Sequence, residues 1–114
     1  MASVSPAAGD PDQVGLYWTI RSGMAGEYDR VHATVWPKLE QRMRALGVIR
    51  FSIFRRGEDV FAHLTVADYP AFTKAYAGDQ LAQGWERQFD DLLIVEHPDP
   101  ETGWPERLVH VWSM

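Results

Sequence analysis

Residues 27–47 read EYDRVHATVWPKLEQRMRALG, and the path of this stretch decides how the rest of the chain is laid out. Its apolar and aromatic positions recur at helical spacing, and Gly47 follows Leu46 where a helix end often carries glycine. Pro37 interrupts the pattern. It has no N–H for the carbonyl of Ala33 and its ring pushes against that carbonyl, so the helix is predicted to kink or to restart, proline being well suited to a first turn. Tyr28, His32 and Trp36 stand four apart, which on a continuous helix stacks them on one face. Two hydrogen-bonding groups and a broad flat ring in one stripe are either an unusual piece of core or one wall of a site for something small. A kink at Pro37 would tilt His32 and Trp36 away from the packing of Leu39, Met43 and Leu46, and the stripe would become the rim of a cavity.

Working outward from this helix, VGLYWTI (14–20) alternates apolar and polar positions as a strand does, and SGMAGE (22–27) supplies a turn with Ser22 as a possible cap. Residues 1–13 are rich in Ala, Pro, Gly and Asp and read as a mobile tail, which leaves 14–114 as a single folded domain. Downstream, IRFSIFRR and DVFAHLTVAD flank GE as a hairpin of two alternating strands. YPAFTKAYAG reads as a short helix ended by Gly78. DQLAQGWERQFDDLL reads as another, capped by Asp79, with Leu81, Trp85, Phe89 and Leu92 at helical spacing. EHPDPETGWPE is a loop, and RLVHVWSM a final strand. The order is β-α-β-β-α-β with an extra helical piece, an α+β fold of the ferredoxin-like split βαβ type. Such a sheet carries helices on one face, and its other face needs a partner, a ligand or more of the same chain; a homodimer packed sheet to sheet is one solution.

Composition narrows the function. The chain carries a net charge of −5 with no basic stripe, which argues against nucleic acid. The absence of cysteine removes disulfides, thiolate nucleophiles and cysteine-based zinc sites. The opening residues do not resemble a signal peptide and no apolar run is long enough to span a bilayer, so a soluble, cytoplasmic protein is expected, with no membrane partner. Five Trp, four Tyr and five Phe are generous for 114 residues and suit a pocket or an interface as well as a core.

Of the residues able to carry chemistry, His32 stands first, because imidazole can donate or accept a proton near neutral pH. Tyr28 could hydrogen-bond a hydroxylated ligand, and Trp36 and Trp85 offer flat apolar faces on which a sugar ring can lie. Glu86 follows Trp85 directly and could accept hydrogen bonds from sugar hydroxyls. The plainer readings are a surface histidine, core aromatics and an exposed helix glutamate paired with a nearby base. His63 lies mid-strand on the face of Phe61 and Thr65, where it touches substrate only if that face lines the pocket. No histidine pair has the spacing of a helical or strand metal site, and no nucleotide-binding or nucleophile-elbow motif is present, so neither metal nor cofactor is expected.

The run EYDRVHATVWPKLE, with its Y-x3-H-x3-W-P core, resembles the L-rhamnose mutarotase family. LGVIRFSIF, FAHLTV, QGWERQFDDLL and LVHVWSM are similar to that family's later strands and tryptophan-bearing helix, so the resemblance spans residues 14–114. It implies a homodimeric ferredoxin-like α/β barrel that interconverts the α and β anomers of a 6-deoxyhexose without a cofactor. His32 would be the proton donor, and Tyr28, Trp36, Phe51, Trp85 and Glu86 would contact the sugar. Phe51 stands where the rhamnose enzymes have a tyrosine, and Glu86 where the best-known type has a second tryptophan. These departures fall on substrate contacts, and IFRRGEDVF looks closer to relatives associated with L-fucose. A non-catalytic sugar-binding module and a cofactor-free oxygenase of the same barrel type are the alternatives, because fold alone does not separate them.

Overall fold

The computed structural model describes residues 10–114. The predicted helix at 27–47 is two helices. Helix α1 (Ala25–His32) stops four residues short of the proline, and α2 (Pro37–Ala45) restarts with Pro37 in its first turn and Trp36, extended at φ −63° and ψ 125°, as the N-cap. The missing Pro37 N–H is one the first turn leaves unpaired anyway, so the sequence stops one helix and starts the next at no hydrogen-bonding cost. Gly47 ends the second helix at φ +103°, a conformation glycine reaches without penalty, and its carbonyl accepts the Ala67 N–H at 2.9 Å.

Strand β1 (Asp12–Ile20) begins two residues before the expected Val14, so only residues 1–9 of the predicted tail lie outside the described residues. Strands β2 (Val48–Arg56) and β3 (Asp59–Val66) form the predicted hairpin, with Gly57 at φ +59°, as a type II′ turn asks of its first central residue. Helices α3 (Tyr69–Ala77) and α4 (Gln80–Glu86) follow, then a 3₁₀ turn (Arg87–Phe89) and the edge strand β4 (Leu93–Ile94). The sheet order is β2-β3-β1-β4, with every pairing antiparallel. This is the expected ferredoxin-like α+β architecture.

Strand alternation separates the two faces of the sheet. Val14, Leu16, Trp18 and Ile20 of β1 and Val60, Ala62, Leu64 and Val66 of β3 are buried with residues of the helices in one core. A register shift between Val48 and Arg50 leaves Ile49 outside and turns Phe51 and Ile53 inward, opposite Leu64 and Ala62. On the outer face Tyr17, Phe61 and Phe54 form a cross-strand row. His63 lies on that face too, with Nε2 2.8 Å from Gln13 Oε1, as a hydrogen-bonded sheet residue.

Three local readings are corrected. Ser22 does not cap α1; the N-cap is Met24, without a side-chain bond. The helix expected to run from Asp79 to Leu92 ends at Glu86, because the chain must turn to bring Leu93–Ile94 beside Thr19 and Ile20. RLVHVWSM is not a strand. Leu108 N–H donates to the carbonyl of Gly15 at 2.9 Å, beside the unpaired stretch of β1, and the chain then leaves the body with Val109, Val111, Trp112 and Met114 exposed. One backbone bond does not make a ladder.

The caps of α3 and α4 are aspartates. Asp68 accepts the Ala71 N–H at 3.0 Å and Asp79 the Ala82 N–H at 3.0 Å, while Asp79 also pairs with Arg42 of α2. Asp79→Ala is therefore expected to cost about 1–2 kcal/mol, more than Asp68→Ala, because cap and inter-helix ion pair go together. Urea denaturation of the two variants checks this.

Candidate active site

Between the helices and the inner face of the sheet lies a cavity of about 280 Å³, open on one side. That volume is near the lower end of the roughly 300–1,000 Å³ usual for small-molecule sites, room for a single small ring. Five of the six expected site residues line it: Tyr28 and His32 from α1, Phe51 from β2, Trp85 and Glu86 from α4. Trp36 does not. Because α1 ends at His32, the four-residue spacing no longer stacks Trp36 above it. The indole instead packs edge-on to Trp85 at 5.2 Å between ring centres and lies against Gly84, supporting the wall from behind.

His32 sits in an aromatic cage. Its ring is 4.5 Å from Tyr28, 5.2 Å from Phe89 and 6.0 Å, edge to face, from Trp85. Nδ1 lies 3.0 Å from the backbone carbonyl of Tyr28, one turn earlier. A carbonyl can only accept, so in the neutral ring Nδ1 carries the proton and Nε2 keeps its lone pair. The imidazole is thereby held in one orientation with a basic nitrogen free for a ligand. Outside the cage, Arg55 donates to Asp29 through Nε at 2.8 Å, tying the β2 hairpin to α1 beside these residues.

Tyr28 is almost wholly buried, and burial raises its hydroxyl to about 12, so it stays protonated at any physiological pH. Among the described residues neither its oxygen nor the indole nitrogen of Trp18, which also lines the cavity, has a hydrogen-bond partner of good geometry. Glu86 does not form the surface ion pair of the plainer reading. Its Oε1 accepts the Tyr76 hydroxyl at 2.7 Å, and Tyr76 is 1% exposed. The Glu86 residue as a whole is exposed, but protein packed around its carboxyl raises its pKa. Desolvation is the main cause and Asp90 adds to it, against the opposing hydrogen bond from Tyr76.

Several residues of the wall were not singled out from the sequence. Trp18 reads there as one more inward strand residue, and Glu40 as an exposed helix position; both line the cavity. Trp104 reads as part of a loop. That loop is tightly built, with Asp99 Oδ1 accepting the N–H groups of Glu101 and Thr102, Asp99 N–H donating to the Trp104 carbonyl at 2.7 Å, and a bridge between Pro98 and Pro105. It presses the Trp104 indole edge-on against Phe72 and Tyr76, 5.5 and 5.3 Å away, and closes one side of the cavity. A tryptophan between glycine and proline in an otherwise acidic loop was the available signal. No three His, Cys, Asp or Glu side chains among the described residues are grouped as a metal would require.

A ferredoxin-like sheet whose helix face encloses a small aromatic pocket, with an oriented histidine and a carboxylate held by a buried tyrosine, has room for a single ring-sized ligand. Comparisons with known proteins identify the family. The family model described as L-rhamnose mutarotase matches residues 13–114. An L-rhamnose mutarotase of Opitutus terrae is 28% identical over 83 residues, covering 71% of this chain and 78% of that protein. An L-fucose mutarotase of Xanthomonas campestris pv. campestris is 33% identical over 70 residues, covering 57% of this chain and 56% of that protein. The crystal structure of an L-rhamnose mutarotase from Formosa agariphila superposes with a TM-score of 0.72 over 90% of this chain and 98% of that one; at 22% identity it speaks to the fold. This chain belongs to the L-rhamnose mutarotase family and so to the carbohydrate isomerases.

The unpartnered Tyr28 hydroxyl has a consequence in the free protein. Tyr28→Phe removes a buried hydroxyl whose polar neighbour, the Trp18 indole N–H, is not well aligned with it, so the variant is expected to be as stable as the parent or up to about 1 kcal/mol more so. A thermal melt that instead fell by several degrees would reveal a structural bond for this hydroxyl.

Proposed function

We propose that the protein interconverts the α and β anomers of a 6-deoxyhexose, L-fucose or L-rhamnose, by acid–base ring opening at His32. The observation that carries this reading is the Nδ1 contact of His32 with the Tyr28 carbonyl at 3.0 Å, which leaves Nε2 as the proton-transfer atom inside an aromatic pocket. Mutarotation requires the anomeric hydroxyl to lose a proton and the ring oxygen to gain one. The ring opens to the aldehyde, the C1–C2 bond rotates, and closure on the other face restores a pyranose. These are general acid–base steps, each worth about 10²–10⁴ in rate, and they ask for no cofactor or metal.

The remaining wall suits a deoxy sugar. Trp85 offers a face for the pyranose ring, and Val35, Leu39, Met43 and Ile53 give the C6 methyl an apolar surface. A 6-hydroxyl there would lose its water without gaining a partner. The Tyr28 hydroxyl and Trp18 indole N–H supply hydrogen-bonding groups that sugar hydroxyls would complete. Phe51 contributes area without a phenol, Glu86 contributes a carboxylate, and both bear on the choice between deoxyhexoses. Trp36 acts through Trp85 rather than on the sugar. The single domain over 14–114 carries all of these groups, and we assign it to the cytoplasm.

Saturation transfer between the anomeric protons of L-fucose, and then of L-rhamnose, tests the function directly. Catalytic amounts of protein are expected to raise exchange well above the spontaneous rate, and His32→Ala to lower it about 10²–10⁴-fold while the protein stays folded. No enhancement with either sugar would leave a binding module or an oxygenase as the better account.

A homodimer is part of this reading. The outer sheet face carries the row of Tyr17, Phe61 and Phe54, with Phe54 67% and Phe61 47% exposed, and the apolar segment after Leu108 stands clear of the body. A second copy would cover both. Phe61→Glu is expected to convert dimer to monomer by light scattering at micromolar concentration, and a monomeric parent would contradict the shared-face picture.

A further inference from the structure

Resting on the mutarotase reading, we propose that Glu86 is the second proton-transfer group of the site, with Tyr76 as its positioning residue. Ring opening moves two protons at two oxygens, and His32 Nε2 supplies one group. Two carboxylates line the cavity with His32, Glu40 from α2 and Glu86 from α4, and only Glu86 is held in place by a buried hydroxyl, that of Tyr76.

Three features separate this from a surface role. Glu86 closes α4, the end of a helix where a carboxylate is least favoured, and among the described residues it has no ion pair. Its one hydrogen bond, from Tyr76 at 2.7 Å, engages Oε1 and leaves Oε2 for a ligand. Tyr76 is among the most buried side chains of the core, and its hydroxyl is spent on fixing this carboxylate. A glutamate kept only for solubility would not be held in this way.

The step balances with one proton shared by the pair. Glu86 takes the proton of the anomeric hydroxyl, O1 becomes the carbonyl oxygen, and the C1–O5 bond breaks with its electron pair going to O5. O5 takes the proton from Nε2 of the His32 imidazolium. After rotation about C1–C2, the O5 hydroxyl returns its proton to His32 as it attacks the other carbonyl face, and Glu86 reprotonates O1. The titratable and charged groups around the pair are Tyr76 of α3, Asp90 after the 3₁₀ turn, Tyr28 and Asp29 of α1, and Glu40 of α2. Desolvation and Asp90 hold the Glu86 pKa above the usual carboxylate range, nearer to that of an efficient proton shuttle.

The test is the pH dependence of kcat/KM for anomer exchange of L-fucose by the parent, Glu86→Gln and Tyr76→Phe. The parent is expected to lose activity in acid, where Glu86 is protonated. Glu86→Gln keeps the size and the acceptor for Tyr76. It is expected to lose the acidic limb and fall about 10²-fold or more at the optimum, with KM little changed. Tyr76→Phe removes a bond that favours the carboxylate, so the acidic limb is expected to move to higher pH, which a loss of packing alone would not do. If Glu86→Gln keeps the parental profile, or only raises KM, Glu86 binds sugar and transfers no proton, and the proposal fails while the mutarotase reading stands. If the parent exchanges neither L-fucose nor L-rhamnose, both fail together.

Discussion

Pro37 has no N–H to offer the carbonyl of Ala33, and the cavity follows from that single missing donor. A continuous helix would have carried Trp36 one turn above His32 and packed the whole stripe alike. The break ends α1 at His32 instead, and its last-turn imidazole folds back onto the Tyr28 carbonyl at 3.0 Å. The chain crosses to α2 in an extended conformation at Trp36, which drops the indole behind Trp85. One backbone constraint therefore ends α1 at the histidine and sets the support of the wall beside it, while the Tyr28 carbonyl fixes the tautomer.

Around that histidine the protein combines an aromatic cage with a few polar groups that the core does not satisfy. The Tyr28 hydroxyl and the Trp18 indole N–H are buried without partners of good geometry, and Glu86 is partly desolvated with a tyrosine at its back. Each costs the free protein some stability, and a well-packed apolar substitute would be favoured if folding alone mattered. Two of the three buried side-chain polar atoms left without a partner among the described residues lie at this cavity, the third being the Tyr69 hydroxyl, and a hydroxyl-rich ligand would complete those two. Low dielectric in the same pocket strengthens each charge–dipole contact a sugar makes there.

Most of the fold was legible because its signals are local. Alternation in VGLYWTI, the GE turn, Gly47, Asp79 and the Pro37 restart each depend on residues within a few positions of one another. What failed was extrapolation across a boundary. The four-residue spacing placed Trp36 in the wall only if α1 continued, and the apolar period through Phe89 and Leu92 concealed the turn into β4. RLVHVWSM has the pattern of a strand, but a strand exists only with a neighbour to pair with, and β1 offers it a single bond at Gly15. In the site, Tyr28, His32, Phe51, Trp85 and Glu86 were found through one helix stripe and a family resemblance. Trp18, Trp104 and the bond from Tyr76 to Glu86 were not, since each depends on how separate elements pack together and not on spacing within one of them.

The account stands on a histidine that presents Nε2 to the cavity. Long-range proton–nitrogen correlation on the His32 ring, in its neutral form and with L-fucose added, examines this most directly. The proton is expected on Nδ1, with Nε2 bare and its resonance shifting as sugar binds. A proton on Nε2 with Nδ1 bare, unchanged by saturating sugar, would contradict it.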